Sequence, residues 1–322
     1  MSERITLENA AKRLLAADNI IITSHISPDG DAIGSTIALA TGLKQLGKKI
    51  TMVIDDDISS YYNFIPGVTE FVRAQPDTVL QGDLLVVTDA SSLDRIGALK
   101  NQKNAGMPIL NIDHHISNTH YADYLYLDDK AAATGEIIYA LLNLLKVQFD
   151  HKIAVALYVA IVTDCGYFKY SNTTSNSLCI AAELLKYGVK SEEISDHLEM
   201  KSKAEIELLT KVLDTLTFYK SGKIATLMLS NENYDATLST DSFVQFACYI
   251  NGVEVAVLFK AVEKNITRVS MRSRSIDVSK VALLFDGGGH KKAAGCTING
   301  DLQHAASQLL SEIQKELDEY HV

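Results

Sequence analysis

With 322 residues, 47% of them hydrophobic, the chain has enough apolar material for two packed cores, and four prolines without a low-complexity tract exclude a disordered protein. The formal charge of −10 excludes the extended basic surface that non-specific binding of long nucleic acid requires. Cys165, Cys179, Cys248 and Cys296 are scattered with no C-x-x-C pair, which excludes a zinc ribbon or disulfide framework and points to a reducing cytosol.

Residues 1–17 carry Glu3, Arg4, Glu8, Lys12 and Arg13 among apolar positions and read as an amphipathic helix rather than a signal peptide. The longest apolar stretch, 153–162, is far too short to span a bilayer, so a soluble cytoplasmic protein without membrane contact is expected. Ile20, Ile21 and Ile22 form a buried strand, followed by a turn at Pro28 and Gly30 and a helix over 32–46 that stops at Gly47. Asp31 is read either as the cap of that helix or as a ligand. Strands are expected over 50–54, 83–89 and 108–112, with a helix near 95–100. Largely buried helices follow over 134–145 and 153–163, the second running into Asp164, and they are a candidate dimer face. Alternating strands and helices make residues 1–185 an α/β domain with a parallel sheet covered on both faces. Charged helical segments over 186–217 read as a linker. The remaining 218–322 forms a smaller α/β domain with a mixed sheet, its strands at 224–229, 253–259 and 266–271 and its helices at 243–250, 278–285 and 305–317.

His25, Asp29, Asp31, Asp89, Asp113, His114, His115 and Asp164 all fall at element ends. Parallel strand ends meet on one edge of a sheet, so these residues converge. Singly, Asp89 could cap the following turn, and a lone His25 at a strand end is more often a hydrogen-bonded surface residue than a ligand. As a set, imidazoles with several carboxylates and no thiolate suit a borderline-hard divalent ion such as Mn²⁺. More carboxylates than one ion needs suggest two ions sharing a bridging carboxylate, about 3.5–4 Å apart. Without ions, several of the carboxylates would stay protonated.

Ser24-His25, Pro28-Asp29-Gly30-Asp31-Ala32, Thr88-Asp89, Asp113-His114-His115 and Thr163-Asp164-Cys165-Gly166 resemble the four motifs of the DHH phosphoesterase family. Gly287-Gly288-Gly289-His290-Lys291-Lys292-Ala293-Ala294-Gly295 resembles the signature of the DHH-associated C-terminal domain. The resemblance implies one Mn²⁺ on His25 and Asp29, a second on Asp31, His114 and Asp164, and Asp89 between them. It implies that His115 faces the substrate, while Asp113 orients a ligand histidine.

Residues 260–292 hold eight Lys or Arg against three Asp or Glu, against the acidic trend. Alternation places Arg272 and Arg274 on the face opposite Met271 and Ser273. The glycine run, as a nest, lets backbone amides approach an anion, with His290 and Lys291 adding charge. With the resemblance, Arg272, Ser273, Arg274, Gly288, Gly289, His290 and Lys291 become candidate substrate contacts. The compact two-domain layout is similar to the nanoRNase and pAp phosphatase group. That likeness implies short RNA, dinucleotides and adenosine 3′,5′-bisphosphate (pAp) as substrates, with no stable complex on long nucleic acid. A pApA or cyclic-dinucleotide phosphodiesterase uses the same residues; a single-stranded DNA exonuclease and a non-catalytic nucleotide sensor are the remaining alternatives.

Overall fold

The computed structural model describes residues 2–74 and 80–321, in two compact units, Met1–Met200 and Lys201–Val322. The first unit opens with β1 (Glu3–Arg4) and α1 (Leu7–Ala16), then β2 (Asn19–Thr23), α2 (Gly30–Gln45), β3 (Lys49–Ile54) and β4 (Val72–Arg73). It continues with β5 (Leu84–Thr88), β6 (Ile109–Asp113), β7 (Tyr124–Leu127), α3 (Thr134–Leu144), α4 (His151–Asp164), α5 (Ser175–Leu185) and α6 (Ser191–Glu199). The expected single helix over 1–17 is corrected to a strand and a helix. Glu3 and Arg4 pair with the edge of β7, and the Thr6 side chain caps α1 by accepting from Asn9 N at 3.3 Å. Strands as short as β1, β4 and β7 carry no readable alternation.

The first sheet has the order β1-β7-β6-β5-β2-β3-β4, and every pairing is parallel. Its central strands are apolar on both faces because both faces are covered. Ile20, Ile22, Val86 and Leu110 pack with α2, α3 and α4, while Ile21, Leu85, Val87 and Ile109 pack with Ile96, Leu99 and Met107. The segment expected as a helix near 95–100 is 3₁₀ in character, Leu93–Ala105, broken at Gly97 with φ 60°. Two glycine-lined crossings let the helices approach closely: a Cβ on Gly34 would lie 2.2 Å from Ala156 O, and one on Gly135 would lie 2.7 Å from Ala160 Cβ. Ile153 to Val162 are all buried within the chain.

The second unit comprises α7 (Lys203–Leu213), β8 (Thr217–Tyr219), β9 (Ile224–Leu229), α8 (Phe243–Cys248), β10 (Val255–Glu263) and β11 (Ile266–Ser273). α9 (Val278–Leu283), β12 (Gly288–His290), β13 (Ala293–Asn299) and α10 (Leu302–Tyr320) complete it. The helical stretch 186–217 is thus divided between the units, α6 in the first and α7 in the second. The sheet order is β12-β13-β11-β10-β9-β8, mixed because β9 and β10 are parallel and the other pairs antiparallel. Val255, Val257 and Phe259 face a core with α9 and α10; Ala256 and Leu258 face a second core with α7 and α8. The glycine run is an edge strand and not the open nest expected. Gly287 N donates to Ala282 O at 2.9 Å, and Gly288 and His290 pair with Gly295 and Ala293.

Candidate metal centre

The first sheet changes direction between β2 and β5: the chain leaves β2 toward β3 on one side and β5 toward β6 on the other. The crevice at such a switch point lies beyond the carboxyl ends of the strands. There His25 follows β2, Asp89 follows β5, Asp113 ends β6, and His114 and His115 come next. Asp29 and Asp31 sit at the start of α2 and Asp164 is the last residue of α4.

His25 Nε2 lies 3.5 Å from Asp89 Oδ2 and 3.8 Å from Asp29 Oδ1. His114 Nε2 lies 3.3 Å from Asp164 Oδ2, 3.6 Å from Asp89 Oδ1 and 4.0 Å from Asp31 Oδ2. Two donor groups result, His25 with Asp29 and Asp89, and Asp31 with His114 and Asp164, each with its ligand atoms within 4.8 Å of one another. Asp89 turns one carboxylate oxygen to each. It also lies within the same distance of His114 and His115. Asp89 holds φ 57°, a left-handed conformation that costs an L residue about 1–2 kcal/mol. The bond from Asp89 N to Ile112 O at 3.0 Å helps fix it. Strain of this kind persists where the surroundings over-determine the backbone, and it clusters at functional sites.

The roles of Asp29 and Asp31 differ from the expectation. Asp29 caps α2, accepting from Asp31 N and Ala32 N at 3.0 Å each. Asp31 instead receives the N-terminus of α3, from Thr134 N at 2.6 Å and Gly135 N at 2.9 Å, and the Ser35 hydroxyl at 2.8 Å. The positive end of the α3 dipole stabilises that buried carboxylate. Thr134 Oγ1 donates to Asp89 Oδ1 at 3.0 Å, so one residue supports both carboxylates.

Asp113 accepts from His114 N at 2.9 Å and is 2.8 Å from His115 Nδ1. It therefore orients the His115 ring, whereas the His114 ring has Nδ1 3.2 Å from Ala131 O. Asn118 donates to Asp113 Oδ2 at 2.6 Å and to Asn111 Oδ1 at 2.7 Å, extending the network into the interior. His25 Nδ1 is 2.8 Å from Ile26 O and 3.0 Å from an Arg95 guanidinium nitrogen. Nε2 is therefore the ring nitrogen that faces the Asp29 and Asp89 carboxylates.

Burial opposes the charge on His25, but hydrogen bonds to Asp29 and Asp89 outweigh it and raise the pKa to about 10. Burial likewise opposes His115, and the bond to Asp113 with the charge of Asp89 raises it to about 9. Burial and then the charge of Asp89 push Asp31 well above the usual carboxylate range; burial and then Asp29 and Asp89 do the same to Asp164. Asp89 is held well below it, burial being overcome by His25, His115 and His114. A pocket with this anionic surplus, built from nitrogen and carboxylate donors, fits a divalent cation, which would relieve the repulsion between Asp31, Asp89 and Asp164.

The sequence matches the DHH family, N-terminal domain, over residues 19–161 and the DHHA1 domain over 221–320. It is 35% identical to the Thermus thermophilus bifunctional oligoribonuclease and PAP phosphatase NrnA, over 92% of this chain and 90% of that protein. The chain belongs to the DHH family. The probable bifunctional oligoribonuclease and PAP phosphatase NrnA of Streptococcus mutans is 31% identical over 88% and 90% of the two chains. In fold, this DHH chain is similar to a Bacteroides fragilis exopolyphosphatase-related protein, with TM-score 0.86, 23% identity and coverage of 98% and 96%.

In the DHHA1 unit, Arg272 shares a strand face with Ser270 and Arg268, whereas Ser273 is buried on the opposite face beside Met271. Arg272 Nη1 donates to Met271 O at 3.0 Å, and its Nε is buried without a hydrogen-bond partner among the described residues. Arg274, Gly288, Gly289, His290 and Lys291 are exposed. Sequence reading missed Thr134, Gly135, Asn111, Asn118 and Arg95. Only Thr134-Gly135 carried a signal, as the first residues of a helical run. Among the described residues no helix is long and apolar enough to cross a membrane.

Proposed function

We propose that this DHH-family hydrolase is a two-metal, manganese-using phosphoesterase that cleaves short oligoribonucleotides to mononucleotides and removes the 3′-phosphate of pAp. The observation that carries the reading is the division of Asp89 between two donor groups. His25, Asp29 and Asp89 would hold one ion; Asp31, His114, Asp164 and the other oxygen of Asp89 would hold the second. Such a pair, when bound, supplies Lewis acidity toward phosphoryl oxygens and lowers the pKa of water enough for hydroxide chemistry near neutral pH.

The chain's own residues do the rest. The α3 N-terminus and Thr134 fix the carboxylates before substrate arrives, so little reorganisation is needed during reaction. Asp113 and Asn118 hold His115, which steadies the phosphoryl oxygens or hands a proton to the departing ribose oxygen. Arg272, with its planar fork, binds a phosphate of the substrate distant from the scissile one. The names of the Thermus thermophilus and Streptococcus mutans relatives, which join both activities, support the substrate choice.

The test is hydrolysis of pAp, pApA, cyclic-di-AMP, a short RNA and a DNA length series with Mn²⁺, followed by product separation. Turnover of pAp and short RNA is expected. Wild-type turnover by Asp89→Ala would falsify the site assignment.

A further inference from the structure

The DHHA1 unit carries a second cationic group apart from Arg272. Lys260 on β10 and Arg268 on β11 are register partners, and Arg268 in turn faces Thr297 on β13. Alternation puts Lys260, Arg268 and Ser270 on one sheet face. α7 and α8 cover that face over β9 and β10, burying Ala256 and Leu258. Beside the covered part lies a cavity of about 420 Å³, lined by Lys260, Arg268, Ser270, Phe285, Asp286 and Thr297 among others.

The two cations are poorly matched by their surroundings. The Lys260 side chain is 13% exposed; its ammonium has the Thr240 hydroxyl at 3.1 Å and the exposed Asp241 carboxylate at 3.7 Å. An ammonium has three donors, and desolvating it without acceptors is costly. Arg268 is exposed and makes no ion pair or side-chain hydrogen bond among the described residues. The rest of the lining suits a nucleotide. Asp286 offers a carboxylate to a ribose hydroxyl, and Phe285, partly buried against the core, offers an apolar surface to a base.

Alternate strand residues are about 6.7 Å apart, so Arg268 and Arg272 stand about 13 Å apart along β11. That separation suits successive groups of a polymer better than the oxygens of one phosphate. We propose that this cavity is a second nucleotide subsite, in which Lys260 and Arg268 bind a phosphate of the RNA other than the one met by Arg272. The inference rests on the oligoribonucleotide reading above and deepens it: the subsite favours substrates several nucleotides long over pAp.

The test uses the full chain with a labelled pentaribonucleotide. With divalent metal chelated, so that nothing turns over, Arg268→Ala and Lys260→Met should each weaken binding at least fivefold. Lys260→Met keeps the apolar stem and guards against a folding artefact. Each should also flatten the slope of log affinity against log salt by about 0.7, the share of one phosphate contact on a single strand. With Mn²⁺ present, kcat/KM for the pentaribonucleotide should fall at least fivefold relative to that for pAp. Wild-type affinity and slope in both variants overturn the subsite, as does an equal loss on the pentaribonucleotide and pAp. If the wild-type chain hydrolyses neither substrate, the activity reading fails instead, and the chelated binding experiment still decides the subsite.

Discussion

The two units treat charge in opposite ways. In the first, most of the clustered carboxylates and imidazoles are buried, and three are fixed by hydrogen bonds: Asp31 by the α3 N-terminus, Asp89 by Thr134, His115 by Asp113. In the second, Arg268 stands exposed without an ion pair among the described residues, and Lys260 has beside it only a hydroxyl and an exposed carboxylate. Under the proposed function the contrast separates two tasks. Chemistry at phosphorus needs donors held in place before the substrate arrives, and burial makes their fields strong. Holding a flexible polyanion needs reachable charge, whose strength depends on salt.

The largest expected effect comes from Asp89→Ala, which removes a carboxylate shared by both donor groups. Loss of an outer partner typically costs 10–100-fold, so loss of the shared ligand should exceed about 100-fold in kcat with Mn²⁺. Thr134→Val keeps the backbone bond to Asp31 but deletes the hydroxyl bond to Asp89. It should weaken apparent Mn²⁺ affinity about tenfold, read by titrating activity against metal, with little change in KM. Arg272→Ala should do the reverse, raising KM about tenfold as a charge-assisted phosphate contact is lost, with kcat nearly kept. A kcat loss from Arg272→Ala as large as that from Asp89→Ala would erase the division of labour.

The smallest effect is in stability against pH. With metal chelated, His25 and His115 keep protons in the folded chain, with pKa about 10 and about 9, that the unfolded chain gives up near 6.5. Their contribution is complete below about pH 6.5 and is lost as pH rises through 9 to 10, so Tm should fall by several degrees between pH 7 and 10. Saturating Mn²⁺ should raise Tm and flatten the part of that decline due to His25, because an imidazole that holds a metal is already unprotonated. A Tm that rises with pH in the chelated protein would contradict the arrangement of charges around His25 and His115.

The sequence by itself determined much of this protein. The central strands and the long helices of both units were legible because burial imposes a local periodicity of apolar residues. Metal-ligand residue types at successive strand ends were legible because parallel strands finish on one edge. Tertiary structure alone decided that Asp29 and not Asp31 caps α2, that Asp31 is met by a helix starting 103 residues later, and that Asp113 serves His115. It also decided that the glycine run is an edge strand, and that Lys260 and Arg268 share one face of a cavity. The physical reason is range. Periodicity is set by neighbours a few residues apart, whereas the partner of a buried carboxylate or an unmatched cation is set by the order in which strands and helices cross.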